Sequence, residues 1–209
     1  MGKKLLLIGG GGHCHSVLDC VLSLNEYEEV GIIDTTAGSY LGVHIIGDDE
    51  DIPRLCSEGW TEAFVSVGSV GNTNTRRRLY RMIKEMGLNV PTLIDPTAII
   101  GKGVTIGEGS FVGKRTVINI GSLVGVCAII NTGAVIEHDC MIGDFAHISP
   151  GTVLCGHVSV GNDAFVGAGS TVRQLIKIGE KSLIGAGSVL VKDIPFNVKA
   201  YGNPCKVVD

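Results

Sequence analysis

Residues 135–145 read VIEHDCMIGDF, and the chemistry they offer is proton transfer, because His138 sits between two carboxylates, Glu137 and Asp139. Imidazole titrates near neutral pH, so a histidine can take a proton from an attacking amine or hydroxyl. A carboxylate bonded to the other ring nitrogen fixes the tautomer and raises the basicity of the ring. Neighbours on an extended strand point to opposite faces. His138 and Asp139 can therefore meet only if the chain turns between them, and Glu137 is a rival partner. On position alone, a lone histidine in such a segment reads as a solvated turn residue.

A second group of residues suits phosphate. Gly9-Gly10-Gly11-Gly12-His13 follows the aliphatic run Leu5–Ile8 and precedes a helix-compatible segment, so its backbone N–H groups and the helix N-terminus could hold a phosphate or pyrophosphate. Its bland reading is a tight strand-to-helix turn. The dinucleotide fingerprint is broken, because the required third glycine would fall on Cys14 or His15. NAD is therefore not expected, although Asp34 stands where a ribose partner would. His13 and His15 flank a cysteine without a further ligand cluster, and no metal is expected.

Two periods position these residues. Up to residue 93, aliphatic runs alternate with helix-compatible segments, the pattern of a small α/β unit with a parallel sheet. From Ile94 the rhythm becomes six: isoleucine, leucine or valine occupies every sixth position from 94 to 190. Neither a 3.6-residue helix nor a hairpin ladder has that period, whereas a short strand plus a turn repeated around a coil does. Four positions after the aliphatic the side chain is usually small, as at Ser110, Thr116, Ser122 and Ala128. Glycine commonly follows it, as at Gly107, Gly125 and Gly143, where a corner tolerates positive φ or close backbone approach. Glu137 takes one of those glycine positions.

Composition narrows the class further. The net charge is −4 and the longest basic run is Arg76-Arg77-Arg78, which gives no reason to expect nucleic acid as a partner. MGKKLLLIGGGG is too short in its apolar part for a signal segment or a membrane span, so no membrane partner and a cytoplasmic location are expected. The seven cysteines lack any C-x-x-C pair and read as small buried hydrophobes. None is placed to act as a nucleophile beside His138, which favours direct transfer over a covalent enzyme intermediate.

Residues 94–190 resemble the hexapeptide-repeat acyltransferases, whose fold is a left-handed parallel β-helix with three hexapeptides per coil. Three stretches, IGGGGHCHSVLD, NTGAVIEHDCMIGDFAHISPG and AYGNPCKVV, are similar to the bacterial sugar acetyltransferases of the sialic acid O-acetyltransferase and UDP-4-amino-sugar N-acetyltransferase type. The resemblance implies a Rossmann-like acceptor domain over 1–93 and a β-helix acetyltransferase domain with a C-terminal tail over 94–209. It implies acetyl-CoA as co-substrate and His138 as general base, with Asp139 as its carboxylate. Gly156 would supply an oxyanion N–H, and His147, Ala168 and Ala186 would contact acetyl-CoA. Gly11, Gly12, His13, Asp34 and Gly68 would bind the nucleotide sugar. A homotrimer with acetyl-CoA between adjacent β-helices is implied, as is a place in surface glycan synthesis. His157 has no motif behind it. The expected reaction is N-acetylation of a UDP-linked 4-amino-dideoxy sugar. O-acetylation of sialic acid or a related nonulosonic acid is the second reading, and a non-catalytic trimeric nucleotide-binding scaffold a third.

Overall fold

The computed structural model describes residues 2–208 and divides into two compact units. The first comprises residues up to Gly68 together with Asn74–Leu93, and the second comprises Ser69–Thr73 with everything from Ile94 onward. The division thus falls at residue 93, except that five residues expected in the first unit cluster with the second.

In the first unit, β1 (Lys3–Ile8), β2 (Tyr27–Ile33), β3 (Ser39–Tyr40), β4 (Val43–Gly47) and β5 (Glu62–Val65) form one sheet in the order β3-β4-β2-β1-β5. All pairings are parallel except β3 with β4. Leu5, Leu6, Leu7 and Ile8 are all buried, as expected of a central parallel strand covered on both faces. The helix α1 (Gly12–Leu24) buries Cys14, Val17, Leu18 and Val21, spaced for one face, and ends on Asn25 in the left-handed conformation. A short helix, α2 (Ile52–Ser57), and α3 (Asn74–Glu85) complete the unit. Strand order reverses at β1, with β2 on one side and β5 on the other. The crevice beyond the C-terminal ends of such strands is where open α/β sheets bind ligands.

The second unit is a parallel β-helix. Two-residue strands recur every six residues and stack into three sheets, each strand pairing with the strand eighteen residues later, as Ile118 does with Ile136 and Ile136 with Leu154. The second residue of each strand is the aliphatic of the six-residue register, and from Val112 to Ile184 these residues pack into one buried column. Where the small residue carries a hydroxyl, hydrogen bonding explains it: buried Ser110, Thr116, Ser122, Thr152 and Ser170 each donate to a carbonyl fifteen residues on. A larger side chain there would strand that carbonyl and overpack the coil.

The glycines after the aliphatics turn out to serve close approach. Gly107 does not have positive φ, and a Cβ on it would lie 2.6 Å from the backbone of Gly125 in the next coil. The left-handed positions come two residues later in each turn. The last coil is closed by Lys206–Val207, antiparallel to Lys199–Tyr201.

Candidate active site

The strand Val135–Ile136 leaves its sheet at a corner and the chain enters the next sheet at Met141–Ile142. Asp139 lies in that corner with φ +58, in the left-handed region. Aspartate is among the non-glycine residues that tolerate it. This turn brings the two neighbours together, and His138 Nδ1 lies 2.9 Å from Asp139 Oδ2. The imidazole pairs with Asp139 and not with Glu137. Because a carboxylate only accepts, the neutral form of this ring carries its proton on Nδ1 and has its lone pair on Nε2. Nε2 has no partner among the described residues.

Eighteen residues on, the next coil supplies the floor. A Cβ on Gly156 would stand 2.5 Å from His138 Nε2 and 2.6 Å from Cε1, so the ring occupies the space a side chain at 156 would need. The N–H of Gly156 makes no hydrogen bond among the described residues, while its carbonyl accepts from Leu175. Beside it, His157 stacks directly over Asp139 in the coil register. His157 Nε2 is 3.6 Å from Asp139 Oδ2, and the two imidazoles meet edge to face with centroids 5.2 Å apart. His157 was invisible to motif reading. The eighteen-residue coil spacing, applied to Asp139, is the signal that finds it. His138, Asp139 and His157 are each about half exposed, at 50%, 49% and 54%.

Cys140 follows Asp139 but points into the core, its Sγ 3.2 Å from the Cys155 carbonyl. Burial pushes its thiol up to about 11, so at neutral pH it is a protonated hydrophobe. Four of the seven cysteines are buried; Cys56, Cys155 and Cys205 are only partly so, which corrects the reading of all seven as buried.

The residues expected to meet acetyl-CoA are spread around the solenoid. His147 lies on the strand His147–Ile148, in a different sheet from the strands flanking His138. Its Nδ1 donates to the Ser69 carbonyl at 3.0 Å, which leaves Nε2 to accept from Asn131 Nδ2 at 3.4 Å. Phe165 packs edge to face against the same ring. His147 and the Thr73–Asp163 hydrogen bond thus hold the 69–73 segment to the β-helix. Ala168 and Ala186 are exposed and stack one coil apart, Gly187 N–H donating to the Ala168 carbonyl. They occupy the corner after the strands Phe165–Val166 and Leu183–Ile184, a different corner from that of His138.

In the first unit, Gly9 has φ +103 and sits where a Cβ would overlap Val67 Cγ2, so the tight turn after β1 needs glycine there. Gly11 and Gly12 face open space, which leaves the backbone at the start of α1 uncovered. Gly68, after β5, backs onto His13. Asp34 locks the loop: Oδ2 accepts the Gly10 N–H at 2.6 Å and Oδ1 accepts from Thr36. The Gly10 N–H, followed by the Thr36 donors, holds this carboxyl below its ordinary value against the opposing effect of burial. Next to it lies a cavity of about 330 Å³ lined by Gly9, Asp34, Asp48, Asp49, Glu50 and Arg78, among others. The Arg78 guanidinium lies 3.4 Å from Asp49. Asp48–Glu50 and Arg78 were not expected at this site, since no local motif links residues so far apart in sequence. Among the described residues, His13, Cys14 and His15 form no metal-type cluster.

Residues 4–83 match the family described as the PglD N-terminal domain, residues 139–174 the bacterial transferase hexapeptide and residues 157–192 the hexapeptide repeat of succinyl-transferase. PerB from Caulobacter crescentus, solved with CoA and GDP-perosamine, is 37% identical with a TM-score of 0.93, over 100% of this chain and 98% of that one. The same bacterium's perosamine N-acetyltransferase has also been solved with a histidine changed to asparagine or alanine. The acetyltransferase domain of PglB from Neisseria gonorrhoeae, solved with acetyl coenzyme A, is 35% identical with a TM-score of 0.92 over 100% of both chains. WeeI from Acinetobacter baumannii shares the fold at 22% identity and a TM-score of 0.85, again over 100% of both.

Proposed function

The chain belongs to the nucleotide-sugar N-acetyltransferases of the left-handed β-helix family, and from that premise we propose that it transfers acetyl from acetyl-CoA to the amino group of a nucleotide-linked amino sugar. The observation that carries the reading is the His138–Asp139 pair, which leaves Nε2 unprotonated above the Gly156 corner. The neutral amine attacks the thioester carbon while Nε2 takes its proton. Asp139 stabilises the imidazolium that forms. The carbonyl oxygen becomes an oxyanion, and the Gly156 N–H, which makes no hydrogen bond among the described residues, is the donor assigned to it. Collapse expels the CoA thiolate, which recovers the proton from His138. Cys140 takes no part, in keeping with its raised thiol value.

The acceptor's nucleotide diphosphate fits the switch point of the first unit. Gly11 and Gly12 leave the start of α1 open to phosphate, and the cavity beside Asp34 has room for further parts of the nucleotide. His13 and Gly68 flank the same turn. A UDP-linked 4-amino-dideoxy sugar is the acceptor expected from the sequence, and the GDP-perosamine bound by the Caulobacter relative makes a GDP-linked one the necessary comparison. The similarity to a perosamine N-acetyltransferase favours an amine over the hydroxyl of a sialic acid.

Acetyl-CoA binding further favours a homotrimer. His147, Ala168 and Ala186 lie away from the His138 corner of their own chain, and this placement supports a second copy that brings such residues opposite His138. No helix among the described residues is long and apolar enough to cross a membrane. A cytoplasmic enzyme supplying acetylated sugar for surface glycan is consistent with its two substrates. The test is CoA release with mass analysis of the product, offering UDP- and GDP-linked 4-amino sugars and sialic acid in parallel. An N-acetylated nucleotide sugar lost in His138→Ala supports the reading, and turnover untouched by that change refutes it.

A further inference from the structure

The reaction uses His138 and Asp139 but gives His157 no task, and the three together have the donors of a transition-metal site. We propose that His138, Asp139 and His157 bind a divalent ion of the zinc type, and that the ion switches the enzyme off. Asp139 Oδ2 lies 2.9 Å from His138 Nδ1 and 3.6 Å from His157 Nε2, and one donor atom from each residue falls within 4.8 Å of the others. A tetrahedral zinc with bonds of about 2.0–2.1 Å places neighbouring donors about 3.3 Å apart. The two short separations straddle that value. All three side chains are half exposed, so a small adjustment to meet a metal displaces no core residue. Two imidazoles and one carboxylate suit zinc, copper or nickel and leave a coordination position for water. Magnesium, which demands oxygen ligands, does not match.

Binding and catalysis exclude one another for a chemical reason. The metal needs the Nδ1 lone pair of His138, so the proton now shared with Asp139 departs to solvent. A neutral imidazole metallated at Nδ1 carries its proton on Nε2, and the nitrogen that must accept becomes a donor. Asp139 is taken up as a ligand at the same time. The inhibitory half of this proposal rests on His138 being the general base, whereas the binding half stands on geometry alone.

The test separates the two. Cobalt(II) added to the intact protein reports coordination by its visible spectrum, and zinc affinity is read by competition with a chromophoric chelator. The comparison variant is His157→Asn, since asparagine accepts the left-handed backbone at 157, where φ is +58. The expected result is one equivalent of zinc bound without thiolate charge-transfer bands, at least tenfold more weakly in the variant, and magnesium without effect. Acetyl transfer by the wild type should fall with the same zinc midpoint and return with EDTA. The variant, scored against its own metal-free rate, should need at least tenfold more zinc. Equal affinity in the two proteins, or thiolate bands pointing to the cysteines, overturns the site. Zinc bound at the site without loss of turnover overturns the inhibition and the base role of Nε2, and leaves the binding standing.

Discussion

Replacing Gly156 by alanine isolates the position of the His138 ring. The added Cβ would lie 2.5 Å from Nε2 and 2.6 Å from Cε1, against an ordinary contact distance of at least 3.4 Å, so the ring must retreat by about 1 Å. The backbone has no objection, since Gly156 is not at positive φ, and its N–H survives the change. A misplacement of about 1 Å is worth roughly 100-fold in rate. The expected result is therefore a fall of about 100-fold in kcat/KM for acetyl transfer, followed by CoA release. The melting temperature should stay within about 2–4 °C, the shift that roughly 1 kcal/mol produces in a chain of this size. A double-mutant cycle assigns the cause: in a His138→Ala background there is no ring to displace, and Gly156→Ala should cost little more. Full activity in the single variant refutes the reasoning. So does an equal loss in both backgrounds, which would mean that the Cβ obstructs a substrate rather than the base.

Asp139→Asn keeps the shape and the left-handed backbone but removes the carboxylate that fixes the tautomer and stabilises the imidazolium; kcat should drop roughly 10²- to 10⁴-fold. Glu137→Gln should leave kcat within about twofold, as expected of a side chain outside the proton-transfer pair, and the reverse ranking in steady-state kinetics would restore Glu137 as the partner. Asp34 has its folded value lowered, so its contribution to stability is complete above its unfolded value near 3.8 and is lost as pH falls through the lower folded one. The melting-temperature gap between wild type and Asp34→Asn should accordingly be constant at neutral pH and close below the usual carboxylate range; a gap widening in acid would contradict the Gly10 hydrogen bond as its source. Ile136→Ala empties a fully buried position in the β-helix and should cost about 2–5 kcal/mol in urea unfolding of the second unit, a cost that a well-packed column predicts and a loosely filled one does not.

The sequence by itself determined the β-helix, because a strand-and-turn repeat of six residues is a short-range property and the aliphatic register from Ile94 to Leu190 writes it out. It also marked the alternation that makes the first sheet, and singled out His138 as the candidate base through its resemblance to known transferases. The choice between Glu137 and Asp139 needed the tertiary structure. That choice depends on one φ angle at the corner, and no periodicity reports it. His157 required the stacking of coils, since a residue eighteen positions away becomes a neighbour only once the chain has gone round. The same winding put Ala168, Ala186 and His147 on other parts of the solenoid from His138, and brought residues 69–73 to the β-helix through His147 and Asp163. Period is set by the backbone's local geometry, whereas contact across coils is set by how many residues one circuit takes.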